Sequence, residues 1–385
     1  METSELLETI SRGEDGKHQF KANISNGNAL ASEIVAFSNS GGGQIFIGVN
    51  DDGSVAGLSA DHLRSEHGLN QLIPNVATNL VKPAVNVTTE NIALPGGLVM
   101  VVTIQDGISK PYFDNTGSIW VKNGADKRKV TSREEVQRMF QIAGLIHGDE
   151  VPANGITVAD LDATYFADYF SREFGQSLEE IRIPLPKLLE NMNLAKDSVL
   201  NIAGALLFSK APQLRLPTYI LKAIAFPGTD ITSGEYLDSR DISGKLADMY
   251  QKAMGFLNAN IRSVQGERGF NSTGMSEIPR ETLEELVVNA LVHRDFFVPA
   301  PIRLFVFQDR IEIISPGHLP NNLTVDNIIS GNSNIRNPIL VSFASKILPY
   351  RGIGSGIRRA LSLYPHITFK DDREGNQFIV SIMRK

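Results

Sequence analysis

A helix that is apolar on nearly every side constrains this chain most. Along Leu283–Asp295, helical spacing puts Leu283, Leu286, Val287, Ala290 and Leu291 on one face, the stripe of a core-facing helix. Glu285 and Asn289 stand four residues apart and share the other face. Val288 and Val292 flank them there, so that face too is expected to be partly buried. A carboxylate and an amide set among apolar groups are costly unless something satisfies them. A bound cation, water and phosphate would do so. Downstream, Arg351-Gly352-Ile353-Gly354-Ser355-Gly356-Ile357 is a second feature suited to phosphate. Glycines let backbone amides approach an anion closely at a helix N-terminus, where the helix dipole favours negative charge. A glycine-rich turn of purely structural use is the competing reading. The cluster follows no clear βαβ unit and lacks the Gly-Lys-Ser/Thr ending of a Walker-type loop.

The chain has 385 residues, enough for two or three domains. Its formal net charge of −6 leaves no chain-wide footprint for nucleic acid, so any such contact must come from a local basic patch. The absence of cysteine excludes disulfides, thiolate metal sites and cysteine nucleophiles. The polar N-terminus has no apolar signal core, and no run approaches the roughly 18 apolar residues of a membrane span. The expectation is a cytoplasmic chain without a membrane partner.

Punctuation by glycine, proline and capping residues separates three sections: 1–148, a mixed α/β connector at 155–270, and 271–385. In the first, a helix over Ala29–Phe37 runs into Asn39-Ser40-Gly41-Gly42-Gly43, and a strand follows at Gln44–Val49. Strands are expected at Leu98–Ile104 and Ser118–Lys122, with a helix capped by Ser132. The second section should hold helices at 158–174 and 197–209, the latter capped by Asp197. It should also hold a strand at Thr218–Phe226 and a long helix near 241–262. The third carries the Glu285/Asn289 helix, a hairpin at Ile302–Ile314, a loop-rich stretch and a final hairpin ending at Phe378–Ile382.

The order of parts in the last section resembles a known fold. Glu285–Phe296, Asp309–Gly317, Asn334-Ile335-Arg336-Asn337-Pro338 and Arg351–Ile357 resemble the GHKL (Bergerat) ATP-binding fold. They are closer still to the divergent version attached to bacterial Schlafen/AlbA_2 proteins. The resemblance implies that Asn289 coordinates Mg²⁺ and that Glu285 orients or deprotonates the attacking water. It also implies that Gly352, Gly354 and Gly356 wrap the triphosphate of ATP, with Gly317 under the base. Ser315 stands where such proteins place an aspartate for the adenine amino group, so a charge-assisted acceptor is missing there.

The segments Gly13–Lys21, Ala36–Gly53 and Trp120–Gly124 resemble the Schlafen/AlbA_2 domain. Schlafen relatives that cut RNA use three acidic residues. Glu14 could match the first and Asp51 or Asp52 the third, but Gln19 occupies the second and cannot supply that charge. Binding is therefore expected before cutting. Lys122, Lys127, Arg128, Lys129, Arg133 and Arg138 concentrate positive charge near Trp120, suited to phosphate contacts; an ordinary solvated basic face is the alternative. Relatives of this layout often continue into a winged helix-turn-helix and are described as transcriptional regulators. No recognition helix is expected after the last hairpin.

The reading is a multidomain α+β protein, with a Schlafen/AlbA_2-like N-terminal domain and a C-terminal two-layer GHKL-type domain. Its expected role is a homo-oligomeric, nucleotide-binding regulator that takes ATP and Mg²⁺ and engages nucleic acid, DNA or RNA, through the N-terminal domain. ATP would act by ordering the segment from about 321 to 350. The alternative is an enzyme, either a slow ATPase or a Schlafen-type nuclease.

Overall fold

The computed structural model describes residues 2–384 apart from 60–61, 64–67, 265–274, 321–322, 351 and 353. Helices and sheets are mixed, and the chain divides into two compact units, Met1–Leu145 and Ile146–Lys385.

The first unit contains α1 (Thr3–Arg12), β1 (His18–Lys21), α2 (Gly27–Asn39), β2 (Gly43–Ile47), α3 (Leu69–Asn79), β3 (Val87–Leu94) and β4 (Gly97–Ile104). Asn26 starts α2 by accepting the Asn28 and Ala29 N–H groups at 2.9 and 3.3 Å, satisfying donors that have no intrahelical partner. The turn after α2 needs glycine: a Cβ on Gly43 would lie 2.4 Å from the Phe37 ring. The sheet order is β1-β2-β4-β3, with β1 parallel to β2 and the other pairs antiparallel. Alternation splits the sheet residues between two cores. Ile45 and Ile47 join Leu30, Ile34 and Phe37 of α2, whereas Phe46 joins Leu6 and Ile10 of α1. A hairpin of β5 (Trp120–Asn123) and β6 (Asp126–Lys129) precedes α4 (Arg133–Ile142), whose cap Ser132 accepts the Glu135 N–H.

The second unit begins with a three-stranded sheet that includes Pro152–Thr157 and leads to α5 (Ala163–Phe174) and α6 (Ile202–Phe208). Its main sheet has six strands: β7 (Leu221–Ala225), β8 (Asp238–Ile242), β9 (Ile302–Val306), β10 (Arg310–Pro316), β11 (Ile367–Asp372) and β12 (Gln377–Met383). Their order is β8-β7-β9-β10-β12-β11, antiparallel except where β7 runs parallel to β9. The helices are α7 (Leu246–Asn260), α8 (Arg280–His293), α9 (Val325–Ile329), α10 (Pro338–Ile347) and α11 (Gly356–Leu363). One hydrophobic core runs from Ala153 through Ile382, so the sections expected at 155–270 and 271–385 share a core and a sheet.

Three local expectations are corrected. Asp197 does not cap α6: it sits at φ +50° in a tight turn beside Ser198 at +62°, and Asn201 is the cap, accepting the Gly204 N–H at 2.7 Å. The helix expected over 241–262 begins at Leu246, because Asp241 and Ile242 pair with Lys222 and Leu221 at the sheet edge. The stretch expected to be loop-rich, about 321–350, carries α9 and α10. In α10, Pro338 presets the first turn, and Leu340 and Ala344 are wholly buried.

Asp149 holds the start of α10 from outside the helix. Its Oδ2 accepts the Leu340 N–H at 2.9 Å, and the side chain is fully buried. Burial pushes the carboxyl up from 3.8 to about 6, against the lowering effect of the Leu340 N–H. A carboxyl raised on folding favours the fold most below its unfolded pKa, and this contribution is lost as the pH rises past about 6. Urea unfolding of wild type should therefore show about 2–3 kcal/mol of stability lost between acidic and neutral pH, and Asp149→Asn should flatten that slope. Equal slopes in the two proteins would reject Asp149 as the source.

Candidate functional site

From Thr282 through Val292, helix α8 is buried at every position except Glu284 and Asn289, which are half-buried. Asn337 fastens its end, donating through Nδ2 to the carbonyls of Val292 and Arg294, both at 2.8 Å. These are last-turn acceptors that would otherwise be buried without a donor. Glu285 and Asn289 share a face as the spacing requires, and the Asn289 Nδ2 donates to Glu285 Oε1 at 3.0 Å.

The second carboxylate oxygen meets a residue that the sequence did not signal. Arg359, on the first turn of α11, donates to Glu285 Oε2 at 2.9 Å. The cost of a buried carboxylate is thus met at least in part by a protein cation. The carboxylate also lies directly against Gly356, where a Cβ would stand 1.7 Å from Glu285 Oε1. A side chain there would have to push the carboxylate aside. Gly352 and Gly354 take positive φ, 66° and 72°, and a Cβ on Gly354 would lie 2.5 Å from the Gly331 carbonyl oxygen. Arg351 and Ile353 of the same motif lie outside the described residues, as does Asn321 at the start of the expected loop-rich stretch.

These groups line a cavity of ≈ 150 Å³ that also reaches Ser315 and Gly317. All seven candidate nucleotide-site residues therefore come together: Glu285, Asn289, Ser315, Gly317, Gly352, Gly354 and Gly356. Ser315 lies near the end of β10, paired with Phe378 of β12. Gly317, at φ +93°, lets Asp295 and Arg336 pack where a side chain would be, with Asp295 Cβ only 2.4 Å from its ideal Cβ. Arg336 donates to the His318 carbonyl at 2.6 Å, and burial lowers its pKa. Another part of the wall is apolar, formed by Leu319, Pro320, Leu323, Phe369, Phe378 and Val380.

His293 also lines the cavity. Burial, reinforced by Arg336, pulls its pKa down to about 4, so the ring is neutral at physiological pH. Its Nε2 pairs with the Tyr350 hydroxyl at 2.9 Å, and burial followed by the Glu285 charge pushes that hydroxyl up to about 12. Arg294 is structural: it donates to the carbonyls of Val298 and Ala300 and lies over the Tyr219 and Phe296 rings. Arg359 and Tyr350 escaped the sequence reading because each meets the site through a contact distant in the chain, and Arg336 entered it only within the Asn334–Pro338 motif, with no role given.

In the first unit the candidate basic residues divide. Lys122 points inward, donating to Gln19 Oε1 at 2.7 Å and lying 4.7 Å from the Phe37 ring centre; desolvation lowers its pKa. Gln19 in turn donates to Glu14 Oε1 at 2.6 Å, so its amide bridges an acid and a base. Lys127 pairs with Glu33 at 2.7 Å, and Arg128 forms a two-pronged pair with Glu135 at 2.6 and 3.0 Å. Lys129, Arg133 and Arg138 are exposed, with Arg133 3.5 Å from Glu134. Among the described residues, no group of three His, Asp or Glu side chains could hold a metal ion, and no helix is long and apolar enough to cross a membrane.

Residues 14–131 match the family model described as Schlafen, AlbA_2. Residues 300–384 match HATPase_c_4, described as "Putative ATP-dependent DNA helicase recG C-terminal". Among solved structures, the DIP2311 protein from Corynebacterium diphtheriae is similar over 99% of this chain and 80% of its own, at 18% identity and a TM-score of 0.48. The N-terminal domain of a RecG-related protein from Nitrosomonas europaea is similar over 34% of this chain and 96% of its own, at 15% identity and a TM-score of 0.23. No match was found among curated proteins. The first unit thus carries the stretch that matches the Schlafen, AlbA_2 model, and the second unit the stretch that matches HATPase_c_4.

Proposed function

We propose that the Ile146–Lys385 unit binds a magnesium nucleoside triphosphate, ATP by its GHKL resemblance, and that the chain is a nucleic-acid-binding regulator, as the transcriptional regulators of this layout are. The observation that carries the nucleotide reading is the convergence of Glu285, Asn289, Ser315 and the four glycines on one cavity. The donor set suits the ligand. Asn289 donates through Nδ2 to Glu285, so its Oδ1 is directed elsewhere, a neutral hard oxygen of the kind Mg²⁺ accepts. Magnesium, when bound, neutralises phosphate charge and polarises the phosphoryl oxygens. Backbone at Gly352, Gly354 and Gly356 would face the phosphates, and Ser315 and Gly317 the base. A hydroxyl at Ser315 bonds a base without the preference an aspartate would impose, so selection for adenine is weak on this reading.

Millimolar Mg²⁺–ATP should raise the melting temperature, with a gain of about 2.7 kcal/mol at roughly 100 times Kd. Asn289→Ala should remove the shift. A wild-type melting curve that ignores Mg²⁺–ATP rejects the reading.

The nucleic-acid half rests on the AlbA_2 match and on the exposed cations Lys129, Arg133 and Arg138, with Arg128 beside them. Lys122 and Lys127, engaged with Gln19 and Glu33, would contribute to the field rather than to direct phosphate contact. Gel mobility with DNA and with RNA at two salt concentrations is the test; retention that ignores salt rejects it. Slow hydrolysis is the second reading. It is favoured by Glu285, the carboxylate set beside Asn289, and requires that phosphate release be lost in Glu285→Ala.

A further inference from the structure

Glu285 is held by three things at once. Asn289 donates to one oxygen, Arg359 donates to the other, and the carboxylate fits against the bare Cα of Gly356. The pair is unequal in exposure: the Glu285 side chain is 7% exposed and that of Arg359 38%. The carboxylate is therefore the desolvated partner, and its charge must be answered inside the protein.

Arg336 and Arg359 are the arginines among the described residues lining the cavity. Arg336 is committed to the His318 carbonyl and packs against Gly317 beside Asp295. Arg359 is the one that reaches Glu285. Its helix begins at Gly356, and the Arg359 N–H donates to the Ser355 carbonyl at 3.0 Å, so its backbone stands in the first turn after the glycine motif.

We infer that Arg359 is a positioning residue for Glu285, and that its charge is what allows an anionic ligand to share the cavity with that carboxylate. This rests on the nucleotide reading and adds a requirement to it. A triphosphate brought beside an unanswered carboxylate meets like charge in a partly desolvated site, and such juxtaposition is strongly unfavourable. With Arg359 in place, the carboxylate is neutralised and keeps one orientation. Without it, Glu285 would turn away or repel the phosphates.

The test is a double-mutant cycle on the full chain, read as the Kd for Mg²⁺–ATP, with the melting temperature without nucleotide as the folding control. Arg359→Ala should weaken binding about tenfold or more, and Arg359→Lys, which keeps the charge, should weaken it less. Glu285→Gln should bind at least as tightly as wild type. Adding Glu285→Gln to Arg359→Ala should then restore most of the lost affinity, because the repelling charge is gone. A merely structural arginine would be rescued at Glu285 in the melting temperature without nucleotide, so the inference requires the rescue in Kd with that temperature unchanged. Wild-type affinity in Arg359→Ala overturns the inference. Equal weakness of Arg359→Ala and the double variant also overturns it, since Arg359 would then act directly on the ligand or on the fold. If wild type itself binds no Mg²⁺–ATP, the nucleotide reading falls and takes this inference with it.

Discussion

Replacing Glu277 with alanine should lower the unfolding free energy of the second unit by about 3–5 kcal/mol, measured by urea denaturation. The Glu277 and Arg384 side chains are 3% and 7% exposed and meet at 2.8 Å. Glu277 Oε1 also accepts the Arg262 N–H at 3.0 Å, while Arg384 donates to the Phe307 carbonyl. The pair thus ties the last residues of the chain to the segment before α8 and to the end of β9. Alanine at 277 strands a guanidinium in an apolar setting, and the stranded charge dominates the penalty rather than the lost attraction. Removing both charges together, as in Glu277→Leu with Arg384→Met, should recover most of the loss. If the double variant is no more stable than the single one, the stranded charge is not the cause.

The second large effect concerns Gly356. Gly356→Ala should abolish Mg²⁺–ATP binding and cost about 1–3 kcal/mol of stability. The new methyl would stand 1.7 Å from Glu285 Oε1 and 2.1 Å from its Cδ, so the carboxylate must leave both Asn289 and Arg359. Gly356 does not take positive φ, which separates this case from Gly352 and Gly354. Its penalty comes from the collision and the broken pair, not from backbone strain. Combining it with Glu285→Ala should therefore return the stability and, with the displaced charge gone, the nucleotide shift as well. A Gly356→Ala protein that melts like wild type and still responds to Mg²⁺–ATP would show that the contact is unimportant.

What could be read in advance follows from the range of each interaction. The polar pair on α8 was legible because helical periodicity alone puts Glu285 beside Asn289. The glycines were legible as a motif, though the reason for Gly356, the carboxylate behind it, was not. Arg359 was hidden because it meets Glu285 across 74 residues of chain. The same limit applies to the basic residues of the first unit. Composition shows Lys127 but not Glu33, which lies 94 residues earlier and takes its charge. In the middle section, the polar run Asp238-Ser239-Arg240-Asp241 carries no β-branched or aromatic residue, so nothing local marked the strand at Asp238–Ile242, which forms by edge pairing with β7.

The parallel pairing of β7 with β9 also bears on how this protein can be divided. Leu221–Ala225 lies alongside Ile302–Val306 in full register, and β9 is apolar at four of its five positions. A fragment starting at residue 271 would keep the cavity-lining residues from Glu285 onward but lose β7 and β8. It would leave β9 as a bare, apolar edge with unpaired backbone groups, the template for self-association that natural sheets keep covered. Dissection of the nucleotide site therefore calls for cutting at the junction near residue 146, with the middle section retained as part of the sheet it completes.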